Sequence, residues 1–173
     1  MSKKIALLLA LAIAVVVVAA ALVVAAPKHS RLPVLTPSVQ ATVHPGWQTM
    51  SDATSSITFQ YPAKISATYI DTNQWPPQVS ATSGTLPCAE PITVGGQRLC
   101  RTMRSEGAAG STYTTYEYTF QKDTKVITLI FTLRFVQCLN YDQPQQGQCV
   151  AEQKSFDVNA LVGQIAETVR VGK

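Results

Sequence analysis

The stretch KVITLIFTLRFV, Lys125 to Val136, alternates with a period of two along its whole length. Ile127, Leu129, Phe131, Leu133 and Phe135 fall on one face, and Val126, Thr128, Ile130, Thr132, Arg134 and Val136 on the other. A wholly apolar face opposite a mixed one describes a strand in the interior of a sheet, with its apolar side turned to a core. Tyr113 to Gln121 has the same period, and Tyr116, Tyr118 and Phe120 share the parity that a buried face needs. With Lys122-Asp123-Thr124 between them, the two segments predict a long hairpin.

Working outward, Ile92-Thr93-Val94, Gly95-Gly96 and Gln97 to Met103 predict a second hairpin, because a primed two-residue turn needs the positive φ that glycine adopts without steric cost. Ile57 to Tyr61 reads as a strand closed by Pro62. Ile65 to Ile70 and Val79 to Ser83 are weaker strand candidates on either side of a rigid Trp75-Pro76-Pro77 loop, and Ser105 to Ser111 reads as a small-residue connection. Near the end the period changes. Val158, Leu161, Val162, Ile165, Ala166 and Val169 follow helical spacing behind Asp157, which is placed to cap the first turn. Strands followed by a helix give an α+β fold, an antiparallel β-sheet with a C-terminal amphipathic helix packed on it.

The first 46 residues are of a different kind. Ile5 to Ala26 is unbroken apolar sequence, about 33 Å long as a helix and so long enough to cross a bilayer. It predicts a single N-terminal transmembrane helix; the alternative is a secretory signal cleaved near Ala19-Ala20-Ala21. Residues 27–46 carry Pro27, Pro33, Pro37 and Pro45 and read as an extended tether containing His29 and His44. Residues 47–173 form the domain, whose expected place is outside the cytoplasm, on a single-pass anchor or secreted after cleavage.

All four cysteines, Cys88, Cys100, Cys138 and Cys149, lie in that domain. Three pairings are open, and the local one, Cys88 with Cys100 and Cys138 with Cys149, is preferred. No pair has the Cys-x-x-Cys spacing of a zinc site, and disulfides belong to oxidising compartments.

Trp47 and Met50, then Ile57 to Tyr61 with Pro62, resemble the opening of PsbP-like domains, and the helix introduced by Phe156-Asp157 is similar to their close. The resemblance covers about 40 residues at the two ends of the domain. It implies an antiparallel sheet flanked by helices, in small exported proteins that act as accessory or binding modules; it carries over no catalytic residue.

Charge and chemistry narrow the function further. The formal charge of +4 is an effect of the N-terminus: four of the 14 basic residues fall within the first 31, and ten then face ten acidic ones. A neutral domain lacks the basic footprint of a nucleic-acid binder. No histidine follows His44, which removes a Ser-His-Asp or Cys-His site from the domain. Lys64, Lys122, Lys125 and Lys154 sit in no Ser-Lys motif, and no cofactor is expected. Candidate contacts for a ligand or partner are Trp75, whose loop could expose a ring, and Arg98 and Arg104, which share one side of a strand while Arg101 takes the other. The expected function is a membrane-anchored extracytoplasmic binding or accessory module without catalysis. Its expected partners are the membrane, through Ile5 to Ala26, and another envelope protein or a glycan. The alternatives are a hydrolase using a carboxylate pair and a structural protein assembling through a sheet edge.

Overall fold

A computed structural model describes residues 44–88 and 90–172. The chain divides into two units, Met1–Val39 and Gln40–Lys173. The first unit, and with it the expected membrane-spanning segment and most of the tether, lies outside the described residues.

The domain is α+β, with every strand pairing antiparallel. Strands β1 (Trp47–Asp52) and β2 (Ile57–Pro62) form a hairpin, and the short β8 (Arg170–Val171) pairs with β2. The larger sheet holds β3 (Ile70–Ser83), β4 (Ile92–Val94), β5 (Gln97–Ala108), β6 (Ser111–Lys122) and β7 (Lys125–Val136), in the order β3-β7-β6-β5-β4. A 3-10 turn at Cys138–Asn140 leads to helices α1 (Gln145–Ser155) and α2 (Val158–Thr168).

β7 lies inside the sheet, as its mixed second face requires. Its apolar face enters a core with Tyr116, Tyr118 and Phe120 of β6, Leu99 of β5, and Val162, Ile165 and Ala166 of α2. Phe131 stacks on Tyr116 at a centroid distance of 5.5 Å and on Tyr118 at 6.2 Å, giving the sheet a continuous aromatic layer. Asp157 caps α2 by accepting from the Ala160 amide at 3.0 Å. The helix comes so close to β4 that a Cβ on Gly163 would stand 2.6 Å from the Val94 side chain. Only glycine allows that approach.

Four expectations are corrected. The sheet is not single, because the β1-β2 hairpin pairs with β8 and not with the larger sheet. Trp75-Pro76-Pro77 is no loop: β3 runs from Ile70 to Ser83 through it, with register shifts between Thr72 and Gln78, and Ile65 to Tyr69 is outside the strand. Among the described residues β3 pairs only with β7, and prolines missing from a ladder cost little on such an edge. Ser105 to Ser111 is no loose connection either. β5 continues in unbroken register to Ala108, and Ala109 and Gly110, at φ 47° and 71°, make a primed two-residue turn into Ser111. Finally, α1 precedes the expected helix. It has no apolar face to betray it, and its one buried residue is Cys149.

α1 is held instead by polar and covalent devices. The Glu152 carboxylate accepts from the amides of Thr68 and Tyr69 at 2.6–3.0 Å, and Gln153 Nε2 donates to the carbonyls of Tyr69 and Val136. Cys149 is bonded to Cys138 beneath it.

Tyr118, fully buried, donates to Asn159 Oδ1 at 2.7 Å, and Arg101 Nη1 donates to the same oxygen at 3.1 Å. Burial pushes the Tyr118 hydroxyl up to about 12, with the nearby Arg101 pulling the other way, and burial raises Tyr116 too. An unfolded tyrosine ionises near pH 10, so the unfolded chain releases this proton first. Stability is therefore complete below about pH 10 and falls between about 10 and 12, by on the order of 2 kcal/mol. Denaturant unfolding across that window checks this: Tyr118→Phe should flatten the decline, and an identical slope in both proteins would contradict it.

Candidate functional site

The three sequence-derived contact residues do not meet. Trp75 is half-buried, its ring edge-on to Phe131 at 5.7 Å and to Tyr61 at 6.1 Å, and its Nε1 donates to the Pro62 carbonyl at 2.8 Å. The indole spends its ring contacts and its polar tip on joining the hairpin to the large sheet. Arg98 and Arg104 do share a side of β5, as Arg101 alone reaches Asn159 on α2. They are six residues apart on one extended strand, about 20 Å, too far to hold one anion. Arg98 borders a depression with Leu86 and Gln121, and Arg104 a smaller one with Met103 and Glu117.

The carboxylates are dispersed in the same way. Asp71 pairs with Arg134 at 3.1 Å, Glu152 anchors α1, and Asp157 caps α2. Asp52 accepts from the Ser55 hydroxyl and amide, and these bonds hold its carboxyl below the usual range. Glu106 and Glu117 lie on one sheet face but four ladder steps apart, about 13 Å. His44 belongs to the fold and not to the tether, stacked on Trp47 at 4.3 Å.

All four cysteines are consumed by two disulfides, Cys88–Cys100 and Cys138–Cys149, with Cα separations of 5.8 and 5.5 Å. The local pairing stands, and no thiolate remains for a metal. The first bond ties the loop before β4 onto β5. The second closes the segment between β7 and α1, and around it the described surface is least like a solvated one. Leu139 is 85% exposed and Val150 53% exposed, and together with Phe135, Thr112 and Gln153 they border a shallow cavity of about 400 Å³. Tyr141, also exposed, packs edge-on to Tyr69 beside it.

Sequence reasoning missed this surface. The available signal was Leu139 and Tyr141, apolar residues between two cysteines in an otherwise polar run, LNYDQPQQGQ. Scattered surface leucines are normal, but Leu139 and Val150 together at a cleft rim held by a covalent staple are a prepared contact.

Compared with protein-family models, curated proteins and solved structures, the chain has no match.

Proposed function

We propose that the protein is a membrane-anchored binding module displayed outside the cytoplasm, and that it engages a protein partner through the disulfide-stapled surface of Leu139, Val150 and Phe135. The observation that carries this reading is Leu139, 85% exposed beside Val150 on a segment whose shape is held by a covalent bond. A contact that needs no ordering on binding keeps more of its interaction energy. The two disulfides support an oxidising location, and the apolar run Ile5 to Ala26 supports the anchor. The likeness to PsbP-like domains points the same way, toward an accessory component.

A protein is favoured over a glycan because sugars are held by open aromatic faces, and the ring of Trp75 is committed to packing. The test is co-purification of the full chain from its own membranes. A protein partner should accompany the native chain and be depleted about tenfold or more by Leu139→Asp combined with Val150→Asp, while the melting temperature stays unchanged. Undiminished capture by the double variant, or retention of a polysaccharide in place of a protein, would contradict the proposal.

A further inference from the structure

The larger sheet has two edges, and they are built differently. On β3 the ladder is broken by register shifts, and Pro76 and Pro77 remove donors, the usual ways to keep an edge from pairing. β4 covers β5 only from Gln97 to Leu99, by the pairs Val94↔Gln97, Thr93↔Arg98 and Ile92↔Leu99. From Arg101 to Ala108, β5 is exposed at every residue and has no second strand beside it among the described residues. It carries no proline and no bulge.

The orientation of its amides follows from the turn. Ala108 and Ser111 flank a two-residue hairpin loop and so form a hydrogen-bonded pair, after which bonded and non-bonded pairs alternate along the ladder. Even-numbered residues of β5 bond to β6. Arg101, Met103, Ser105 and Gly107 therefore aim their N–H and C=O groups outward. The Gly95-Gly96 turn gives the same phase, since Val94 and Gln97 flank it and Leu99 bonds outward to Ile92.

We infer that a second copy of this chain pairs antiparallel with this edge, β5 against β5, about a two-fold axis at Ser105. In that register Ser105 meets its own counterpart, and Arg104 faces Glu106 of the other copy twice over, at non-hydrogen-bonded positions where side chains come closest. Met103 lies opposite Gly107, and Thr102 opposite Ala108, so each larger side chain meets a small one. Nothing lies within 4 Å of a Cβ built on Gly107, so that site has room for the methionine across it. Shifting by one bonded step to the register centred on Arg104 sets the two arginines against each other and breaks the pattern. A closed two-fold pairing of this kind also buries both open edges at once, leaving no template for further addition.

The test uses the full-length chain in mild detergent. Ser105→Cys places two sulfurs on Cα atoms about 5.5 Å apart, within reach of a disulfide, and oxidation should give a covalent dimer; Thr124→Cys, at the far hairpin turn, should not. In sedimentation of the chain without added cysteine, Arg104→Glu and Glu106→Arg should each weaken dimerisation by about 10- to 100-fold, and the two together should restore it. Both positions are exposed, so folding is unaffected. A monomer at all concentrations, equal cross-linking at 105 and 124, or a dimer indifferent to the single charge reversals would overturn the inference.

Discussion

Removing the Cys138–Cys149 disulfide, by Cys138→Ser together with Cys149→Ser, is expected to free α1 while the rest of the domain stays folded. The reason is the helix's composition. Gln145 to Ser155 buries only Cys149, begins at Pro144 without a side-chain cap, and depends on Glu152 and Gln153 for its remaining attachment. An isolated helix of this length is marginal in water, so its order must come from outside it. Closing a loop of 11 residues supplies about 3 kcal/mol. Without it, amide exchange in α1 should accelerate about a hundredfold, while the amides of β6 and β7 keep their protection. Partner binding through Leu139 and Val150 should be lost in the same variant, because the two residues are no longer held at one rim. A uniform rise in exchange across the domain would mean that the bond supports the global fold and not a local surface.

Trp75→Ala is expected to act globally. The ring fills the junction between β2, β3 and β7, touching Tyr61 and Phe131, and its N–H satisfies the Pro62 carbonyl. Truncation leaves a cavity and an unpaired carbonyl, which together cost about 3 kcal/mol. That corresponds to a fall in melting temperature of about 10 °C. Trp75→Phe keeps most of the volume and loses the hydrogen bond, so its cost should be about 1 kcal/mol. Calorimetry of the three proteins decides the matter. A stable Trp75→Ala protein that no longer bound its partner would return this residue to the role of an exposed contact.

Trp75 shows where sequence and fold part company. Phe131, Tyr116 and Tyr118 were legible because strand alternation is a local record of which face is buried. The Gly95-Gly96 turn was legible because positive φ restricts composition, and Asp157 because a cap is a one-residue device. Trp75 was not, since whether a Trp-Pro-Pro run is a loop or an edge strand depends on a partner strand about 55 residues away. The second half of β5 was hidden for a related reason. Ser-Glu-Gly-Ala is a poor strand sequence, and β6 imposes the extended conformation by pairing with it. α1 lacked periodicity because it packs with a sulfur and two polar side chains. The candidate surface was the least legible part, because the exposure of Leu139 and Val150 is a property of the assembled fold.

The charge pattern had a different fate. Arg98, Arg101 and Arg104 at intervals of three predicted that Arg101 would stand apart, and it does, bound to Asn159. What spacing could not convey was that Arg104 and Glu106 flank Ser105 on an edge that has no second strand beside it among the described residues.

A photoreactive amino acid placed at position 139 of the full chain tests most directly whether a partner sits on the Cys138–Cys149 surface. Irradiation of intact cells should join the protein covalently to one partner protein from position 139 and to none from position 124, exposed at the turn between β6 and β7. No adduct at 139, or the same adducts from both positions, would contradict it.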